Sequence, residues 1–264
     1  KTMIGILGYG WLGKALTEKL LNEGYRVNAS KTNWSKDSDE YRPHFKPFKL
    51  LLTERGIEGE LAFFEGVTQL MILLPPTQKL TGFNLLTLLN SLYQFLPETP
   101  VERIIFTSST SVYGNQTGII NEDSPLQSDT KNAKLLVQCE KFIEQQPLPH
   151  FILRLGGLIG SDRHPIMQLQ EKIIKNPAGY INFIHQTDAV NILFKAILKK
   201  EINGVYNAVC PTHPNRKDYY LAMAKRKGLP QPKFENDSPI KRKIISKKVC
   251  QVLNYEFKVN NLLI

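Results

Sequence analysis

The sequence is poor in cysteine, in histidine and in long apolar runs, and each shortage excludes a class of protein. Its three cysteines, Cys139, Cys210 and Cys250, are odd in number, far apart and form no C-x-x-C pair. A disulfide scaffold and a cysteine zinc site are therefore excluded, and a reducing cytoplasm is the expected compartment. His44, His150 and His213 are too scattered to suggest a metal site. Apolar runs such as Leu70–Leu74 stop at prolines or charges, far short of the ~20 residues a membrane-crossing helix needs. The first residues lead directly into a glycine-rich strand and turn, so no secretory signal is expected there. Apolar residues make up 42% of the chain and charged residues 22%, with 17 glycines and 16 prolines, which excludes collagen, a coiled coil and a disordered tail. The 264 residues suffice for one large domain or two small ones sharing a core.

Acid is also scarce: 24 Asp and Glu stand against 34 Lys and Arg, a net charge of +10. The excess is local. Residues 213–264 hold 12 basic and 4 acidic residues, whereas residues 1–212 hold 22 and 20. It centres on Lys225-Arg226-Lys227, Lys241-Arg242-Lys243 and Lys247-Lys248. Such a patch attracts nucleic acid or the phosphates of a nucleotide-linked substrate, but it equally describes a solvated basic face. Aromatic residues for base stacking are not interleaved with these clusters, so nucleic acid is not the expected partner.

Residues 3–8 form a short apolar run ending in glycine, the pattern of a buried parallel strand. Leu12, Ala15, Leu16 and Leu20 follow at helical spacing until Gly24. Further strands are expected at Tyr25–Ala29, Gln69–Leu74, Arg103–Ser108 and His150–Leu155, with helices at Asn84–Phe95 and Asn132–Gln145 between them. This alternation predicts an α/β fold, a doubly wound parallel sheet of the Rossmann kind covered on both faces. After Gly156 the chain becomes loop-rich. Helices are expected near Pro165–Ile174, Asp188–Lys199 and Asp218–Lys227, and short strands near Tyr180–Ile184 and Gly204–Ala208. Residues 1–155 are thus expected to form a dinucleotide-binding domain and 156–264 a smaller substrate lobe, across a soft boundary that lets later elements return to the main sheet.

Gly8-Tyr9-Gly10-Trp11-Leu12-Gly13 fits G-x-G-x-x-G and lies between a predicted strand and a predicted helix. Gly8 permits the tight turn, Gly10 lets a pyrophosphate approach the backbone, and Gly13 lets helix and strand pack closely. The helix N-terminus, entered through Trp11 and Leu12, presents free N–H groups to the phosphates. The residue that reads the adenosine ribose is expected about 20 positions on. There the sequence reads Asn28-Ala29-Ser30-Lys31-Thr32, with two hydroxyls and a cation and no acid. Charge complementarity favours NADP(H), with NAD(H) the alternative. Leu74 and Pro75, after another predicted strand, belong on the same sheet edge.

The strand Ile104-Ile105-Phe106 runs into Thr107-Ser108-Ser109-Thr110-Ser111-Val112-Tyr113-Gly114, five consecutive hydroxyl residues where α/β sheets place ligands. Here the chain resembles the extended short-chain dehydrogenase/reductases, the superfamily of nucleotide-sugar epimerases and dehydratases, and within it the atypical YeeZ-like group. The stretches that carry the resemblance are GILGYGWLG (5–13), RIIFTSSTSVYG (103–114), ILRLGGLIGSDRHP (152–165), NFIHQTDAV (182–190), YNAVCPTHPNR (206–216) and KIIS (243–246). The resemblance implies that Ser109, four before Tyr113, is the active-site hydroxyl that bonds a substrate oxygen. It implies that Lys134 binds the nicotinamide ribose. The family's tyrosine acid/base falls at Thr130, and a threonine alkanol is far too weak an acid for that work. Tyr113 is a second candidate for the role, although the family uses it in the pocket wall. The Asp-Glu of the 4,6-dehydratases is replaced by Thr110 and Ser111, which argues against that branch. Substrate contacts are expected from Ser109, Ser111, Tyr113, Arg154 and Arg163, and His185 with Asp188 is expected to anchor the second lobe.

Two functions follow from these residues. One is an NADP(H)-dependent oxidoreductase or epimerase acting on a nucleotide sugar or similar phosphorylated metabolite. The other is a cofactor-binding sensor or interaction protein that kept the dinucleotide site and lost its acid/base. A small-molecule partner is expected in either case, with no membrane and no metal, and the resemblance leaves room for a homodimer.

Overall fold

The computed structural model describes residues 2–34, 42–53, 55–77, 84–236 and 240–263. Its elements in chain order are β1 (Met3–Leu7), α1 (Trp11–Asn22), β2 (Arg26–Lys31), β3 (Phe45–Thr53), β4 (Gly56–Gly59), β5 (Val67–Ile72), α2 (Leu85–Phe95), β6 (Arg103–Ser109), β7 (Gly118–Ile120), α3 (Lys131–Glu144), β8 (His150–Leu155), β9 (Gly157–Ile159), β10 (Ile173–Ile174), β11 (Phe183–His185), α4 (Gln186–Leu198), β12 (Gly204–Ala208), α5 (Arg216–Arg226), β13 (Lys233–Phe234), β14 (Arg242–Ile244) and α6 (Lys247–Leu253). Two compact units share the chain. The first takes Lys1–Ser108, Thr130–Leu153 and Leu193–Val205, the second Ser109–Asp129, Arg154–Ile192 and Tyr206–Ile264.

The expected doubly wound sheet is present, in the order β12-β8-β6-β5-β1-β2-β3-β4. The pairs β1–β2, β1–β5, β2–β3 and β5–β6 are parallel, and the β3–β4 hairpin is antiparallel. Nearly every residue of β1, β5 and β6 is buried, as a strand covered on both faces requires. Strand order reverses at β1, which lies between β2 and β5 and so marks the place where such sheets hold ligands, beyond the strands' carboxyl ends. A buried arginine ties the late chain segment into this first unit. Arg103 on β6 donates to the side chain of Gln69 at 3.1 Å, to the Ala196 carbonyl at 2.6 Å and to the Ile202 carbonyl.

β3 carries Pro47, which weakens any sequence expectation of a strand there. Val27 N–H donates to the His44 carbonyl at 2.8 Å, so alternation turns the Pro47 nitrogen away from β2. The missing donor falls on the open side of the strand and costs no ladder bond. α2 and α3 begin at side-chain caps, Asn84 accepting from Thr87 N–H at 3.0 Å and Thr130 from Ala133 N–H at 3.1 Å.

The second unit is held by three short parallel pairs, β7–β14, β9–β11 and β10–β13. Its core gathers Ile159, Ile166, Ile174, Ile181, Cys210, Tyr219, Tyr220 and Met223. Asp188, fully buried, clasps the C-terminal segment: it accepts from Tyr255 Oη at 2.5 Å, Lys258 N–H at 2.7 Å and Val259 N–H at 3.0 Å. The helix expected at Pro165–Ile174 is corrected here to a single 3-10 turn, Pro165–Gln168, followed by β10. Glu171 adopts a φ of 64°, which no helix interior accommodates, so the turn cannot propagate.

Candidate dinucleotide site

β1 delivers the chain to Gly8, whose φ is +100° and whose added Cβ would lie 2.6 Å from the Leu73 carbonyl oxygen. Only glycine tolerates both conditions. Gly13 is forced for another reason: a Cβ there would stand 2.3 Å from the Gly8 carbonyl oxygen, so helix and turn touch backbone to backbone. Gly10 differs from both. It caps α1 in extended backbone geometry, and a Cβ added to it would meet nothing within 4 Å. No described neighbour crowds a Cβ at that position, and the space it would fill lies at the N-terminal end of α1, where the first N–H groups of a helix are free to meet an anion. The first turn of that helix, with Trp11 and Leu12, carries no acidic residue to oppose an anion.

A cavity of about 200 Å³ opens beside this turn, lined by Leu7, Gly8, Tyr9, Gly10, Ser30, Lys31, Thr32, Leu50, Leu51, Leu52 and Leu74. The glycine turn and the Ser30–Thr32 segment thus line one space. Among the described residues that line it there is no carboxylate. Pro75 is exposed next to it. Tyr9 and Leu50–Leu52 were missing from the sequence expectation. Tyr9 occupies a variable position of the glycine motif, and the leucines sit on the strand that Pro47 disguised.

At the end of β6, Ser108 is buried and its hydroxyl has no hydrogen-bond partner among the described residues. Thr130 and Lys134 lie on the first turn of α3, also in the first unit. The Thr130 hydroxyl is committed to the helix cap, and Lys134 is exposed one turn on.

The remaining expected site residues belong to the second unit. The Ser109 hydroxyl accepts from Ser111 N–H at 3.1 Å and so caps the 3-10 turn Thr110–Tyr113, leaving its own proton to donate elsewhere. Tyr113 is fully buried. Its hydroxyl accepts from Arg154 Nη1 at 2.8 Å and donates to Asn207 Oδ1 at 2.8 Å. Burial pushes the phenol's pKa up, against the opposing pull of Arg154, so Tyr113 is a neutral phenol near pH 7. The network extends to Glu122, whose carboxylate accepts from Asn207 N–H at 2.8 Å. Asn207 lies in the stretch 206–216 that carries the resemblance, but the sequence assigned it no role. Arg163 lies on a turn closed by two backbone bonds with Gly160, at 2.8 and 3.3 Å. Its neighbour His164 accepts from Ile166 N–H at Nδ1, which leaves the Nε2 proton to donate to Tyr219 Oη at 2.7 Å. His185 Nδ1 accepts from Thr187 N–H at 3.2 Å. Among the described residues no group of three or more His, Cys, Asp or Glu is placed to hold a metal ion, and no helix is long and apolar enough to cross a membrane.

No protein-family model matches the chain. Protein YeeZ of Escherichia coli (strain K12) is 29% identical over 266 aligned positions, covering 97% of this chain and 95% of YeeZ. Among solved structures, UDP-glucuronic acid 4-epimerase from Bacillus cereus in complex with NAD superimposes with a TM-score of 0.80, at 19% identity over 99% of this chain and 95% of that one. This chain has the fold of the extended short-chain dehydrogenase/reductases. Another member of that fold, UDP-N-acetylglucosamine 4-epimerase from Bacillus cereus, gives a TM-score of 0.79 at 15% identity over 100% and 98% of the two chains. A functionally unknown conserved protein from Silicibacter pomeroyi DSS gives 0.77 at 21% identity, over 100% and 96%.

Proposed function

We propose that the chain binds NADP(H) at the Gly8–Gly13 turn and acts as an oxidoreductase or epimerase on a nucleotide sugar or a related phosphorylated metabolite. One observation carries the cofactor reading. The space beside Gly10 is open, and it continues into a wall of Ser30, Lys31 and Thr32 that holds no carboxylate among the described residues. A carboxylate would accept from a ribose 2′-hydroxyl and repel a 2′-phosphate, whereas a lysine does the reverse. The substrate class comes by analogy from the two epimerases of the same fold, one of which holds NAD.

In this reading the N–H groups at Trp11, Leu12 and Gly13 hold the pyrophosphate, Leu74 and Pro75 flank it, and Lys134 bonds the nicotinamide ribose. When bound, the nicotinamide supplies hydride acceptance and donation. Ser109 donates its free proton to a substrate oxygen, with Ser111, Arg154 and Arg163 as further substrate contacts. Tyr113 holds the Ser109 turn in place through Arg154 and Asn207. Thr130 supplies no phenolate.

That last point favours a second reading, a cofactor-binding sensor without turnover. The Thr130 hydroxyl is spent on capping α3. Calorimetric titration with NADPH and NADH, followed by chromatography of products from a panel of UDP-sugars, tests both readings. NADPH is expected to bind more tightly, and Lys31→Asp to weaken it by about 1–3 kcal/mol, the scale of a lost charge-assisted contact. Equal affinity for the two cofactors would remove the NADP(H) reading. Tight NADPH binding with no product from any sugar would favour the sensor.

A further inference from the structure

We infer that Tyr9 and Trp34 are positioning residues for Lys31, and that through it they set the preference for a 2′-phosphorylated cofactor; this rests on the NADP(H) reading above. The Lys31 ammonium lies 5.6 Å from the Tyr9 ring centroid and 5.3 Å from that of Trp34. Both distances fall within the reach of a cation–π attraction, and tryptophan gives the strongest one. The two rings are themselves 5.1 Å apart, so the cation rests on a joined platform.

The platform is fixed from outside. Trp34 Nε1–H donates to the Phe48 carbonyl at 2.8 Å, which pins the indole to β3. Tyr9 is buried, packs on Phe45 at 5.5 Å and accepts at its hydroxyl from Arg42 Nη2 at 3.4 Å. The Arg42 guanidinium pairs with Glu18 at 2.5 Å, so its charge is compensated. Among the described residues that line the cavity, Lys31 is the cation.

An exposed lysine ordinarily samples many rotamers and loses that freedom when it grips a phosphate. Here the rings confine the stem before any ligand arrives. A ring face attracts the ammonium without using up its three N–H donors, so they stay available to an anion. A ribose 2′-hydroxyl draws little from a fixed cation. The platform therefore acts on NADPH and not on NADH.

The test is a double-mutant cycle on the full chain, with NADPH and NADH dissociation constants as readouts. Trp34→Leu is expected to weaken NADPH about two- to fivefold, the worth of an exposed cation–π contact, and to leave NADH unchanged. Trp34→Phe, which keeps a ring face, is expected to restore most of the preference. In a Lys31→Met background, Trp34→Leu is expected to have no further effect on NADPH. Equal weakening of both cofactors by Trp34→Leu, or a loss that persists without Lys31, would show that the indole only supports the fold and would overturn the inference. If the wild type discriminates through Lys31 while Trp34→Leu changes nothing, positioning fails and the cofactor reading stands. If the wild type does not discriminate, both fail. A measurement without ring variants serves if Trp34→Leu misfolds. The ε-methylene NMR signal of Lys31, assigned with Lys31→Arg, is expected to be shifted upfield by the rings and to move with NADPH but not with NADH. An unshifted signal overturns the inference.

Discussion

Three glycines in one motif are glycines for three different physical reasons, and mutation separates them. Gly13→Ala drives a methyl against the Gly8 carbonyl at 2.3 Å, so it is expected to lower the melting temperature before it affects any ligand. The Cβ that Gly10→Val adds meets no packed neighbour within 4 Å. It is expected to keep the wild-type melting temperature within a degree or two while abolishing NADPH and NADH binding. A folded Gly10→Val variant that still binds either cofactor would remove the phosphate role from that turn. Thr130 is a second residue whose local duty differs from the one the resemblance implies. As an N-cap it contributes about 1 kcal/mol to α3. Thr130→Tyr is expected to lose most of that and to raise turnover on a true substrate, since a positioned acid/base is worth about 10²–10⁴ in rate. Denaturant titration reads the first effect and product formation the second.

At the scale of elements, the strands and helices around the glycine turn were legible because each signal was local. β1, α1 and β6 combine apolar periodicity with glycine or hydroxyl punctuation, and Asn84 announces α2 by its side-chain cap. β3 was hidden by Pro47, whose harmlessness depends on which side of the strand its nitrogen faces. The short pairs β7–β14 and β9–β11 join residues far apart in the chain, and two or three residues leave no periodic trace. The segment 165–174 misled for a related reason: Pro165 reads as a helix start, but the stop lies in the backbone of Glu171, which its residue type does not disclose. The 3-10 turn that replaces the helix has a pH signature. His164 caps it, and burial, helped by Lys227 and Arg226, lowers the imidazole pKa to about 4 from an unfolded value near 6.5. A lowered folded pKa means the unfolded chain binds the extra proton first. Stability from this group is therefore full above pH 6.5 and declines as pH falls towards 4. Since the ring is only half-buried, a loss of about 1–2 kcal/mol between pH 7 and pH 5 is expected. Urea titrations of wild type and His164→Gln at the two pH values check it. The variant is expected to show the smaller change, and identical slopes for both proteins would place the titration elsewhere.

For the molecule as a whole, the charge of +10 says less than its magnitude suggests, because several of the basic residues have internal work. Arg226 donates to the Leu263 carbonyl, Lys243 lies over Tyr180 and Lys248 over Tyr206. Arg242 is largely buried, and that burial lowers its pKa. The division of the chain into two compact units bears more directly on function. Every residue lining the cavity beside the glycine turn belongs to the first unit. A ligand that binds only the folded state stabilises what it binds by about 2.7 kcal/mol at 100 times its dissociation constant. For a unit of this size that is about 5–10 °C in melting temperature. A chain of two compact units is expected to unfold with a calorimetric enthalpy above the van't Hoff value, rather than in one two-state step. NADPH is then expected to raise one of two resolved transitions in differential scanning calorimetry, and Gly10→Val to cancel that rise without moving the other. Limited proteolysis at the intermediate temperature, read by mass spectrometry, identifies the unit that melts first. Equal displacement of both transitions by NADPH would show that the second unit contributes to holding the cofactor. It would also move Ser109, Tyr113 and Arg154 from expected substrate contacts into the cofactor's own binding energy.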